Sequence, residues 1–225
     1  MRYYPVFLSL RGRRCVVVGG GKVAERKVRA LLRAQASVRV LSSDLTPRLA
    51  QLATKKRIDV IRRPYRKGDL KGQARNGVPL LVFSATNDPA VQQEVGKEAE
   101  AIGALVNLAD DREHSTFLVP ASFARGDLQV AISTSGASPA LARNLRRRLQ
   151  AMLGEEYAAH LRFLRESRRE VLKSVPGQKE RARVFRKLVA GWYEVKRRKS
   201  TVERQRSGAR SQKADRVLGA NPHGS

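Results

Sequence analysis

The sequence predicts an α/β fold built on a Rossmann-type parallel, doubly wound sheet, and three observations carry that reading. Short apolar runs alternate with helical stretches through the first 110 residues, the first run ends in a glycine triplet that opens into a helix, and the pattern changes only after about residue 113.

The first run is Cys15-Val16-Val17-Val18. Val23 to Leu32 then places apolar residues at helical spacing, and Ser37 to Leu41 is β-rich, which together make a βαβ unit. Further strand-like runs at Ile58 to Ile61, Pro79 to Phe83 and Ala104 to Leu108 bracket a helix expected from Pro89 to Ala101, with Val91, Val95 and Ala99 on one face. Next, Phe117 to Phe123 and Leu128 to Ser133 flank Ala124-Arg125-Gly126-Asp127, the signal of a hairpin. Ser138-Pro139 supplies a cap and a proline for a helix running to about Leu153. Two more helices are expected from Glu155 to Val175 and from Gln178 to Lys199, broken at Pro176-Gly177. Residues 200–225 are polar and basic without apolar periodicity, the composition of a disordered tail.

At 225 residues and 41% hydrophobic, the chain can bury one ordinary core and a small accessory domain. Its single cysteine, Cys15, excludes a disulfide framework and a CxxC metal site, and no His/Cys/carboxylate group has metal-ligand spacing, so no resident metal is expected. The apolar stretch from Tyr3 to Leu10 contains Pro5 and runs into Arg11-Gly12-Arg13-Arg14, unlike a signal peptide. No run approaches the ~20 apolar residues of a membrane span, so a cytoplasmic setting is expected. The net charge is +26, and from Arg143 to Ser225 there are 23 Lys and Arg against 8 Asp and Glu. Such a surface attracts anions, either a polyanionic substrate or nucleic acid.

Gly19-Gly20-Gly21-Lys22-Val23-Ala24 follows the first strand and matches G-x-G-x-x-A at Gly19, Gly21 and Ala24. Gly19 permits the tight turn, Gly21 lets the backbone approach a pyrophosphate, and Ala24 lets the helix pack close to the strand. The unpaired N–H groups from Lys22 and Val23 onward face the phosphates at the positive end of the helix dipole. This is a dinucleotide site. Its ribose contact falls to Ser42 and Ser43 or to Asp44, at the end of the second strand. No arginine replaces that contact, since Arg39 lies inside the strand, and NAD is therefore preferred to NADP.

Five segments in order carry a resemblance. They are Tyr4-Pro5-Val6-Phe7-Leu8 with Leu10-Arg11-Gly12-Arg13; Val17 through the glycines to Glu25-Arg26-Lys27; Ala85-Thr86-Asn87-Asp88; Val106-Asn107 with Asp110-Asp111; and Ala131-Ile132-Ser133-Thr134 leading to Ser138-Pro139-Ala140-Leu141-Ala142-Arg143. From about Tyr4 to Leu149 the chain resembles the precorrin-2 dehydrogenase family, the dehydrogenase part of siroheme synthases. The resemblance implies an NAD-binding Rossmann domain at 1–113, a small α/β segment at 114–150 that makes a homodimer, a helical domain at 151–199 near the substrate cleft, and the basic tail at 200–225. It further implies NAD-dependent oxidation of precorrin-2 to sirohydrochlorin, with ferrous iron (Fe2+) as a substrate in members that go on to make siroheme. No appended methyltransferase is expected, since fewer than 80 residues follow the matched region.

By the same resemblance Asp110 is the catalytic aspartate, and its place just past the strand from Ala104 to Leu108 agrees with ligand binding at the carboxyl edge of an open sheet. Its carboxylate either accepts a proton as the macrocycle loses a hydride or holds the pyrrole N–H groups. His114 is a second group for proton handling, while Asp111 reads as a turn residue. Thr86 joins the cofactor site, and Ser133, Thr134 and Arg143 are expected to contact the substrate. Precorrin-2 carries eight carboxylates, which gives the arginines from Arg143 to Arg148 a purpose, though helical spacing places only Arg143 and Arg147 on one face. Two departures stand out. Ser135 occupies a position where the family favours glycine, and Gln92 replaces a common asparagine. The alternative is an NAD(H)-sensing Rossmann protein whose tail, beginning at Lys196-Arg197-Arg198-Lys199, contacts nucleic acid. Nucleic-acid affinity that changes with NAD+ or NADH distinguishes the two.

Overall fold

A computed structural model describes residues 3–71 and 77–194. The basic run from Lys196 and the tail at 200–225 lie outside these residues. The described residues form two compact units: those up to 121 with 132–143, and 122–131 with 144–194. The segment expected at 114–150 is divided between them.

The first unit is a five-stranded sheet of order β3-β2-β1-β4-β5, parallel throughout. Its strands are β1 (Arg14–Val18), β2 (Ser37–Leu41), β3 (Asp59–Ile61), β4 (Leu81–Ser84) and β5 (Leu105–Leu108). β1 and β4 are apolar on both faces because both are covered, as in other parallel sheets. On one face α1 (Lys22–Arg33) and α2 (Pro47–Thr54) bury Ala24, Val28, Leu31 and Leu49 against Cys15, Val17, Val38, Val40 and Phe83. On the other, α3 (Pro89–Ala101) brings Val95 and Ala99 onto Val16, Val18, Val82 and Val106, beside Tyr65 and Leu70. Chain order reverses between β1 and β4, so the carboxyl ends of these strands border the crevice where doubly wound sheets bind ligands.

The segment from Phe117 departs from the expected strand, for β6 begins at Ala121. Phe117 instead sets its ring edge-on to Phe83, 5.3 Å between centroids, and its carbonyl accepts from Asn107 Nδ2 at 3.1 Å. It is apolar for the core, not for a ladder. α2 was not foreseen either, being eight residues long with Leu49 alone buried.

The hairpin of β6 (Ala121–Arg125) and β7 (Leu128–Ile132), which but for its two end residues belongs to the second unit, turns at Gly126, whose φ is +56°. α4 (Pro139–Met152) starts in the first unit and enters the second at Asn144, and α5 (Glu156–Ser174) and a further helix over residues 178–194 follow there. Arg125 donates to the carbonyls of Leu153 at 3.0 Å and Gln150 at 3.1 Å, closing the carboxyl end of α4. His160 stacks on Trp192 at 4.3 Å, tying α5 to the last helix.

Candidate active site

The site begins at the glycine turn. Gly19 has φ +111°, and a Cβ there would stand 2.5 Å from the Ala85 carbonyl oxygen, so glycine brings the turn after β4 against the turn after β1. Gly20 is buried, and a Cβ on it would overlap the Asp44 carbonyl oxygen. Gly20 also accepts from Thr46 N at 3.0 Å, and Thr46 donates to Glu25 of α1 at 2.7 Å. The loop after β2 is thereby laid across the turn. The sequence had given work to Gly19 and Gly21 alone; Gly20 was missed because its partner lies 24 residues along the chain.

Gly21 is different again. A Cβ there would meet nothing within 4 Å, and it caps α1 with no side-chain hydrogen bond. The first N–H groups of α1, at Lys22, Val23 and Ala24, therefore border open space at the positive end of the helix dipole. Lys22, exposed on this turn, would oppose the dipole if no anion came there. Gly21, Lys22 and Val23 thus fit a pyrophosphate, and Ala24 is fully buried under α1 as the motif requires.

At the tip of β2, Ser42 Oγ donates to the Asp44 carbonyl at 2.7 Å and Ser43 Oγ donates to Asp44 Oδ2 at 3.1 Å. The three residues form one hydrogen-bonded group with the Asp44 carboxylate exposed, suited to ribose hydroxyls. Arg39 is tied to Asp59 at 2.6 Å, back within the sheet. Thr86 Oγ1 accepts from Asp88 N at 3.2 Å, and Asp88 in turn caps α3. Gln92 donates to the Thr86 carbonyl at 2.8 Å, so the residue set aside as a departure holds Thr86 in place.

Asp110 directly follows the end of β5, exposed, with φ +61°. Among the described residues no hydrogen bond holds its carboxylate. A non-glycine residue in the left-handed region costs about 1 kcal/mol, and such positions cluster at functional sites. Asp111 accepts from His114 N at 3.1 Å and from His114 Nδ1 at 2.8 Å, and these bonds hold its carboxyl below the usual range. Asp111 is thus the turn residue and His114 is fixed to it with its ring 74% exposed. Asp110, Asp111, His114 and Ser115 line a cleft of about 970 Å³ along α3 and the outer edge of β5. Two other hollows, lined by Arg13, Arg14, Arg39 and Asp59 or by Lys56 and Arg57, open at the opposite, amino edge of the sheet. They stand away from the glycine turn, and the carboxyl edge is where ligands of this architecture bind.

Ser133 and Thr134 lie after β7 in the same unit as Asp110. Ser133 Oγ accepts from Ser135 N at 3.0 Å, and Thr134 Oγ1 accepts from Ser138 N and donates to the Ser138 carbonyl, each at 3.1 Å. Both hydroxyls are occupied in shaping the loop. Arg143 is exposed on α4, with no ion pair among the described residues.

A family model described as "Putative NAD(P)-binding" matches residues 6–121, the sheet, the glycine turn and Asp110 included. The chain belongs to this NAD(P)-binding family. A second model, "Sirohaem biosynthesis protein central", matches residues 125–152, the hairpin and α4. Among curated relatives, the siroheme synthase of Chromobacterium violaceum is 38% identical over 85% of this chain and 39% of its own length. That of Neisseria meningitidis serogroup B is 35% identical over 92% of this chain and 42% of its own. The chain spans about two fifths of these relatives. Among solved structures, the precorrin-2 dehydrogenase SirC aligns over 83% of this chain and 89% of its own, with 29% identity and a TM-score of 0.71.

Proposed function

We propose that this NAD(P)-binding chain oxidises precorrin-2 to sirohydrochlorin with NAD+. The observation that carries this reading is the free carboxylate of Asp110, held at positive φ past β5 in a fold that aligns with 89% of a precorrin-2 dehydrogenase. NAD+ supplies the hydride acceptor; Gly21, Lys22 and Val23 hold its pyrophosphate, Ser42, Ser43 and Asp44 its ribose, and Thr86 lines the approach. The substrate loses a hydride and a proton. Asp110 takes the proton or orients the pyrrole N–H that carries it, and His114, backed by Asp111, passes a proton to solvent. Arg143 binds a substrate carboxylate, while Ser133 and Thr134 shape the adjoining loop. Insertion of ferrous iron would use the same carboxylate against the pyrrole protons.

A homodimer through the hairpin belongs to the same reading. A two-stranded ribbon is marginal by itself, and β6 and β7 leave both outer edges without strand partners among the described residues.

The test is anaerobic incubation of the full chain with precorrin-2 and NAD+, followed by ferrous iron. NADH and the sirohydrochlorin spectrum are expected, with turnover at least a hundredfold lower in Asp110→Ala. NAD+ binding without turnover would refute the tetrapyrrole assignment. Full activity in Asp110→Ala would refute the role of that carboxylate alone.

A further inference from the structure

Arg112 stands between acidic neighbours in sequence, with Asp110 and Asp111 before it and Glu113 after. It pairs with none of them among the described residues, since Asp111 is taken by His114. Its side chain leans to another part of the chain. The guanidinium fills the space that a Cβ on Gly136 would need, so it rests directly on the backbone of the loop after β7.

That loop is built to receive it. Ala137 N donates to the Thr134 carbonyl at 2.9 Å across Ser135 and Gly136, whose φ angles are +49° and +80°. Two successive positive φ values mark a type I′ turn, and glycine at its second central position leaves the seat open. Arg112 therefore joins the loop carrying Asp110 to the loop carrying Ser133 and Thr134. It remains exposed and without a carboxylate partner among the described residues. An arginine fork in such a place is matched to a carboxylate.

We propose that Arg112 is a substrate-binding residue that grips a carboxylate side arm of the tetrapyrrole, its guanidinium aligned by the Gly136 backbone. This rests on the function proposed above and adds a specificity residue to it. Because the contact is made to a side arm away from the bonds that change, it acts on binding and leaves the chemical step alone.

The experiment measures equilibrium binding of sirohydrochlorin and steady-state kinetics with precorrin-2 for the wild-type chain, Arg112→Gln, Arg112→Lys and Arg29→Gln. Arg29 is an exposed arginine of α1, and its replacement removes the same unit of net charge. Arg112→Gln is expected to raise Kd and KM about tenfold or more with kcat and NAD+ affinity unchanged, Arg112→Lys to recover part of the loss, and Arg29→Gln to change Kd less than about twofold. Equal binding by Arg112→Gln and wild type would overturn the assignment, as would an equal loss in Arg29→Gln, which would make the effect one of bulk charge. If the wild-type chain binds no tetrapyrrole, the proposed function itself falls and takes this residue with it.

Discussion

Lys27 shows what a single side chain costs here. It lies on α1 five residues past Lys22, half-buried, with its ammonium 3.2 Å from Asn107 Oδ1 and 5.0 Å from the centre of the Phe83 ring. Burial, aided by the neighbouring Arg26, pushes it down to about 8 from its ordinary 10.5. Below pH 8 both folded and unfolded chains carry the proton, and the whole cost of burying the charge is present. Between about 8 and 10.5 the unfolded chain holds a proton that the folded chain has released, so this group makes stability rise with pH across that window. Lys27→Met is expected to raise the Tm at pH 7, with the gain shrinking by pH 10; a lower Tm at pH 7 would mean that the Asn107 and Phe83 contacts outweigh the burial. Ser135 is a second such position, because a Cβ at φ +49° is disfavoured. Ser135→Gly keeps the N–H bond to Ser133 Oγ and should add about 1 kcal/mol in urea unfolding, and no gain would indicate that the greater freedom of glycine in the unfolded chain offsets the relieved strain. At this scale the sequence showed which residues are special but not always why. Gly19 and Gly21 were legible from a local motif, whereas the need for Gly20 comes from the Asp44 carbonyl, and the left-handed backbone of Asp110 is not fixed by residue type, since aspartate enters that region more readily than most residues but still seldom.

Three helices end the same way. At α1, Gln35 N bonds the Leu32 carbonyl and Ala36 N bonds Leu31; at α2, Lys56 bonds Ala53 and Arg57 bonds Leu52; at α3, Gly103 bonds Glu100 and Ala104 bonds Ala99. These are Schellman closures, yet glycine fills the left-handed position only at Gly103, with Gln35 at φ +61° and Lys56 at φ +52°. Gln35→Gly is expected to stabilise the fold by up to about 1 kcal/mol, checked by the urea midpoint at unchanged slope. The outer edge of β5 poses the other element-scale problem. It is closed by side chains: Thr116 Oγ1 accepts from Val106 N at 2.7 Å, and Ser115 Oγ accepts from Leu108 N at 3.0 Å. Ser115→Ala would leave the buried Leu108 N–H without its acceptor, costing about 1–3 kcal/mol, and would loosen the loop that carries Asp110 and His114. A stability loss with intact kcat would separate the edge from the chemistry. The five parallel strands were readable because burial on two faces makes continuous apolar runs, such as Val16 to Val18. α2 and the path from Phe117 to Pro120 were not readable, because one buried leucine gives no periodicity and an apolar residue does not announce whether it faces a core or a ladder.

Charge is the property that belongs to the whole chain. A net +26 on 225 residues repels itself when folded and attracts any polyanion, so one variable acts on the two in opposite directions. Added salt screens both, with a Debye length falling from about 30 Å at 0.01 M to about 8 Å at 0.15 M. The described carboxylates relieve little of the repulsion, since pairs such as Arg39–Asp59 and Arg63–Asp69 involve few of the basic residues. Raising the potassium chloride concentration about fifteenfold from low salt should therefore raise the Tm while lowering kcat/KM for precorrin-2, the proposed substrate, about tenfold or more, as for a steered, multiply charged ligand, with kcat at saturation held constant. The crossing of the two trends is what tests the argument. If kcat/KM is indifferent to salt, the arginines serve something other than a polycarboxylate, and if the Tm falls as well, local ion pairs rather than net repulsion set the stability of the sheet.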